Sequence, residues 1–218
     1  MTILEELIEY ANLCLEDTKI SEYEDYISCK KHKNACKRFL KDVQNAKNNK
    51  DFEYFWDEIE AKKIVKWFSY LRHSKGVLAG KPIILTSWQK FILCQVYGWR
   101  YKKTRYRRFN KAFIEVARKN AKSQMESGVA LYEISYTSTK NHEVNEAYTA
   151  GVKRKQSKII FDEAVLMLRG SPLRTKFKVT RDKITHVKTN SFLEPLNKED
   201  GKKGDGTCPA FLVIDEFH

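Results

Sequence analysis

An α/β sandwich with a mainly parallel sheet, preceded by an α-helical lobe, is the fold class that this 218-residue sequence predicts. Two observations predict it. After about residue 80, helically spaced segments alternate with short apolar runs that read as strands, the order of a parallel sheet covered by helices. Before residue 80, apolar positions recur only at helical spacing. Gly76, Gly80 and Pro82 mark the change, so a helical lobe is expected over 1–80 and the sheet-bearing core over 81–218.

The first helix is expected over 2–16, with Leu4, Ile8, Ala11 and Leu15 on one stripe. A second runs over 26–46, burying Ala35, Cys36, Phe39, Leu40 and Val43 behind a lysine-rich face. Asp51 is the candidate cap of a third, over 52–73, whose core face is Phe55, Trp56, Ile59, Ile64, Trp67, Phe68 and Leu71. Thr86 or Ser87 caps a fourth over 88–97, ended by Gly98. An apolar strand is predicted over 112–116 and a helix over 122–134. A strand over 146–150 and a helix over 154–168 follow, the helix with Ile159, Ile160, Ala164 and Leu168 inward. Residues 177–180 and 184–189 alternate as antiparallel strands around Arg181, Asp182 and Lys183. Residues 197–207 form a charged, glycine-containing loop, and 210–214 the last strand.

Lysine and arginine exceed aspartate and glutamate by 41 to 28, a net charge of +13 that favours a polyanionic partner such as nucleic acid or nucleotide. The apolar content of 42% is enough for a core. Five scattered cysteines fit reduced thiols rather than a disulfide framework. The acidic N-terminus lacks a secretory pattern, and no apolar run approaches the roughly 18 residues a membrane helix needs. The chain is therefore expected to be soluble and intracellular.

The chemistry concentrates at two places. Residues 112–123 order a buried strand, a polar turn (ARKNA) and then Lys122-Ser123 at a helix start, the layout of a phosphate-binding loop. Turn N–H groups and the helix N-terminus face an anion, Lys122 neutralises it, and the Ser123 hydroxyl suits Mg²⁺. The usual glycines are missing, with Val116 and Ala121 in their places. Asn120, which tolerates the left-handed region, is expected to take over part of their role, while Arg118 and Lys119 add charge beside the phosphates. The second place is the final strand, which delivers Asp215 for a metal and Glu216 to polarise an attacking water. Trp88 and Gln89 are candidates for stacking on, and hydrogen-bonding to, an adenine. Arg105, Arg107 and Arg108 lie in a basic run with Tyr101 and Tyr106, equally readable as DNA-phosphate contacts or a solvated edge. Cys29, His32 and Cys36, with Cys14 further off, have spacing open to zinc, though a core stripe is the favoured reading.

In order, LTSWQKF (85–91), FIEVARKNAKS (113–123), AGVKRKQSKIIFDEA (150–164) and DGTCPAFLVIDEFH (205–218) resemble the large terminase subunit of tailed bacteriophages. KRFL (37–40) and GVLAG (76–80) look like the same family's N-terminal region, so the resemblance covers the chain from about residue 25. It implies a P-loop-type ATPase that powers packaging of viral double-stranded DNA in the host cytoplasm. Its cofactors would be ATP and Mg²⁺; its partners would be that DNA, the portal protein, the small terminase subunit and further copies in a ring. By the same resemblance Gln89 reads the base, Lys122 and Ser123 bind phosphate and Mg²⁺, and Arg118 senses the γ-phosphate; Trp88 beside the base and Lys119, Asn120 and Ala121 in the turn complete the candidate nucleotide site. Ser123 and Asp215 hold the metal, while Glu216 and Arg118 are catalytic. The family usually has Gly where this chain has Ala121. Its members continue past the Asp-Glu pair into a nuclease, so the sheet is expected to be incomplete after the Walker B-type strand. A truncated, inactive module that binds DNA or a partner is the alternative; a helicase-type ATPase would need motifs beyond His218.

Overall fold

The computed structural model describes residues 1–20, 25–151, 154–196 and 208–214. The chain divides into two compact units, Met1–Lys66 with Leu85–Ile114 and Trp67–Ile84 with Glu115–His218.

In the first unit, helices α1 (Ile3–Leu15), α2 (Lys30–Asn48) and α4 (Ser87–Gly98) pack around aromatic side chains, and α3 (Glu58–Tyr70) begins here before running into the second unit. Thr2 and Glu5 form a capping box at the start of α1. The buried stripe of α1 is Leu7, Tyr10, Ala11 and Cys14, so the expected stripe is corrected by one step around the helix, with Ala11 common to both. Both stripes have helical spacing, and the aromatic Tyr10 buries more surface than Ile8 would. In α2, Cys36, Phe39 and Val43 are buried as expected.

The third helix starts later than its apolar pattern predicts. Asp57 accepts hydrogen bonds from the Ile59 and Glu60 N–H groups, each 3.1 Å, and so caps α3 at Glu58. The residues before that cap form β1 (Tyr54–Trp56), antiparallel to β2 (Trp99–Tyr101). Phe55 and Trp56 therefore belong to a ribbon, and Ile59 is 65% exposed. Trp56 and Trp99 meet edge to face at 5.5 Å, and Phe39 meets Phe91 at 5.4 Å.

The second unit holds a five-stranded sheet in the order β4-β5-β6-β3-β7. Its strands are β3 (Glu146–Ala150), β4 (Phe177–Val179), β5 (Ile184–His186), β6 (Phe192–Pro195) and β7 (Pro209–Ile214). β3 runs parallel to both β6 and β7, while β4, β5 and β6 join antiparallel. The α/β class, with a parallel centre, holds. β3, β4, β5 and β7 match predicted strands; β6 is additional. Helices α5 (Lys122–Tyr132) and α7 (Arg154–Leu168) pack on each other, α5 contacting β7 and α7 contacting β3 and β6.

One predicted strand is overturned. Residues 111–117 pair with no strand among the described residues, and Phe113 is 79% exposed. Apolar content alone does not make a strand: a neighbour must take its backbone hydrogen bonds, and among the described residues β7 pairs with β3 alone.

After Tyr132 the helix continues through a π-helical turn, Glu133–Thr137, into α6 (Ser138–Asn141). The Glu133 carbonyl accepts from the Ser138 N–H and, at 2.8 Å, from the Asn145 amide. A side chain beyond the helix thus stabilises the widened turn.

Gly128 fixes the position of α5. A Cβ there would stand 2.3 Å from the ring of Phe68, which is fully buried, and the Trp67 indole donates to the Gly128 carbonyl at 2.9 Å. The Ser127 hydroxyl is 2.7 Å from the Ile160 carbonyl of α7. Gly128→Ala is expected to destabilise the fold by about 1–3 kcal/mol, the cost of overpacking a rigid site, although alanine favours helix. Urea denaturation measures it; an unchanged or raised midpoint would contradict the close approach.

Candidate functional site

The polar turn over 117–121 leads into the N-terminus of α5 in the second unit. Lys119 and Ala121 are left-handed, at φ 68° and 55°. The expectation that Asn120 would take that conformation is corrected: the left-handed residues flank it. Its amide instead donates to the Ala117 carbonyl at 3.0 Å, closing the turn on itself. Alternating backbone handedness turns successive N–H groups toward one side, the geometry of an anion nest.

Ala121 is the N-cap of α5, and its side chain offers no capping bond. Its carbonyl accepts the Met125 N–H at 3.0 Å, so the helix is regular from its first turn. The first N–H groups of such a helix have no intrahelical acceptor, and with the helix dipole they favour an anion. Lys122 and Ser123 occupy this first turn and are half-buried, while Arg118, Lys119 and Asn120 are exposed on the turn. The Ser123 carbonyl accepts from Ser127 at 2.7 Å. Gln124 donates to Glu163 of α7 at 3.3 Å, and the Ser74 hydroxyl is 2.5 Å from the same carboxylate oxygen.

Asp215 and Glu216 lie outside the described residues. The strand leading to them is described: Ile214 of β7 pairs in register with Ala150 of β3. Both parallel strands therefore end at the same level, the carboxyl-end edge where open α/β sheets bind ligands.

Trp88 and Gln89 belong to the first unit. Gln89 is buried, and its Oε1 accepts the Thr86 N–H at 3.0 Å in a capping box, while Trp88 is half-buried. Thr-x-x-Gln is a capping-box pattern, a signal present in the sequence beside the base-binding one.

The basic run is packed into an aromatic frame of the same unit. Arg108 stands 4.2 Å from the Tyr54 ring centroid and 2.8 Å from the Asp42 carboxylate, an ion pair not aligned as a hydrogen bond. Arg107 lies over Tyr97 at 5.1 Å and Arg105 over Phe55 at 4.5 Å. Arg105 is exposed, whereas Arg107 and Arg108 are half-buried. Arg100 is buried, bonded to Glu60 at 3.0 Å and to the Arg105 carbonyl at 2.8 Å.

A second cluster lies in the first unit. Cys14 and Cys36 are buried and His32 half-buried, brought together by α1 and α2. Hydrogen bonds from Cys36, His32, Ser28 and Tyr10 outweigh burial and hold the Cys14 thiol down to about 4, while the adjacent Cys14 sulfur and burial push Cys36 up. Among the described residues, no helix is long and apolar enough to cross a membrane.

These features define an α/β protein with a turn of two left-handed residues at a helix N-terminus, in the unit that carries the parallel strands. The family model for the terminase large subunit, ATPase domain, matches residues 87–218, and the chain belongs to that family. The fold is similar to that in the crystal structure of the HK97 bacteriophage large terminase, at TM-score 0.55 and 21% identity. The match covers 71% of this chain and 30% of that one, so the chain spans under a third of the solved protein. Among curated proteins, none matches.

Ala121 in the left-handed region carries a Cβ–carbonyl clash that glycine avoids, a cost of roughly 1–2 kcal/mol. Ala121→Gly is expected to raise unfolding stability by up to about 1 kcal/mol, after the entropy glycine adds to the unfolded chain. A thermal melt that falls by that amount would contradict a left-handed residue 121.

Proposed function

We propose that the chain is the ATP-hydrolysing part of a phage DNA-packaging motor, acting on viral double-stranded DNA in the host cytoplasm. The observation that carries this reading is the turn over 117–121: with two left-handed residues and an N-cap, Ala121, that makes no side-chain cap bond, it delivers Lys122 and Ser123 in the first turn of a helix. An anion is the ligand such an end prefers.

In this reading the turn N–H groups and Lys122 hold the β- and γ-phosphates, and Arg118 and Lys119 add positive charge. A hydroxyl and a carboxylate are hard oxygen donors, which suit Mg²⁺; Ser123 and Asp215 would hold it, and it would neutralise phosphate charge. Glu216 accepts a proton from, or orients, the attacking water. Trp88 and Gln89 bind the adenine, and Arg105 is the best exposed of the three arginines assigned to DNA phosphates, beside Arg107 and Arg108. The portal protein, the small subunit and other copies of the chain are the partners this role implies. The second reading, a non-catalytic basic module, rests on the net charge of +13.

Lys122→Ala is expected to weaken Mg²⁺-dependent ATP binding by at least about tenfold, since a charge-assisted hydrogen bond contributes about 1.5–3 kcal/mol. Glu216→Ala is expected to keep binding and lose roughly 10²–10⁴-fold in turnover. Equilibrium binding of labelled ATP and phosphate release by the full chain measure both. Unchanged affinity in the lysine variant would remove the assignment. Salt-sensitive DNA binding without phosphate release would favour the non-catalytic module.

A further inference from the structure

We infer that Cys14, His32 and Cys36 form a zinc site that fastens α1 to α2, separate from the nucleotide chemistry. The ligand atoms of the three residues lie within 4.8 Å of one another, and they are the one such group among the described residues. Zinc–sulfur and zinc–nitrogen bonds of about 2.3 and 2.0–2.1 Å place tetrahedral ligands roughly 3.5–3.8 Å apart. The cluster is thus within about 1 Å of the span it needs, a side-chain adjustment.

The donor set fits that ion: two thiols and an imidazole select zinc over the hard cations that accompany phosphates. The two cysteines are on different helices, Cys14 in the last turn of α1 and Cys36 in α2, one turn beyond His32. A bound ion would cross-link them, which a pair of core thiols does not do.

Around the ligands is an ordered shell. The Tyr10 hydroxyl is 3.0 Å from His32 Nε2, a contact of the kind that orients a ligating imidazole. Tyr10 and His32 each pack against Phe91, at 5.1 and 5.5 Å between centroids. A fourth ligand comes from solvent or from Cys29, the exposed N-cap residue of α2.

The test uses the full chain, purified with reductant, stripped by chelator and titrated with Zn²⁺ alone against a chromophoric competitor. One equivalent is expected per chain, with affinity at least about tenfold weaker in Cys14→Ser and in His32→Ala. Zinc should raise the melting temperature of the parent chain and leave the Cys14→Ser melt unchanged. Should a variant fail to fold, the unaltered chain loaded with Co²⁺ decides alone: a thiolate-to-cobalt charge-transfer band is expected. No stoichiometric uptake, uptake equal in the Cys14→Ser variant, or cobalt bound without that band would each overturn the site.

Discussion

The start of α5 depends on a contact two turns downstream. Gly128 lets the helix backbone approach the buried Phe68 ring, Trp67 bonds to its carbonyl, and Ser127 ties the same turn to α7. With the helix axis pinned there, its first residue cannot move to relieve local strain. Ala121 takes a conformation that costs an alanine roughly 1–2 kcal/mol, a strain that persists only where the surrounding structure over-determines the backbone. The strain in the turn and the close packing at Gly128 are therefore parts of one arrangement.

Much of the second unit was legible because its strands and helices carry unambiguous periodicity. In α7, Ile160, Ala164 and Leu168 face inward as predicted, although Ile159 is 46% exposed. β4 and β5 turn around Arg181–Lys183 as their alternation implies. The strand over 112–116 misled because its run is apolar, and pattern carries no information about a pairing partner. β6 escaped because FLEP is short and ends in proline, which has no N–H to donate to a sheet. It is tolerated at that strand's last position. β1 escaped because Phe55 and Trp56 also satisfy a helical stripe, and only the Asp57 cap separates the two readings.

The candidate site was legible as a string and not as a backbone. Lys122-Ser123 at a helix start can be read from residue types, but which turn residue adopts positive φ is set by packing. Propensity favoured Asn120, the residue most tolerant of that region after glycine; its amide does more by closing the turn on Ala117. The arginines of the basic run looked interchangeable in sequence. Folding distinguishes them through partners far away in the chain: Asp42 takes Arg108, Glu60 takes Arg100, and Phe55 stacks under Arg105. Opposite charges brought together from 40 or more residues away leave no local pattern.

Gln89 shows how one side chain can carry both readings at once. Reading an adenine edge needs an acceptor for its N6 amino group and a donor for N7, and an amide has both. The capping box engages Oε1 with the Thr86 N–H, but that oxygen has two lone pairs and the amide nitrogen two hydrogens. The cap alone does not occupy all of those groups, but the side chain is buried. The cap fixes the torsion of an otherwise flexible side chain, so less rotamer entropy is left to lose when a base docks. In the fold described, Gln89 is 7% exposed and serves the start of its own helix, so reading a base would require the side chain to be uncovered as well as held in place.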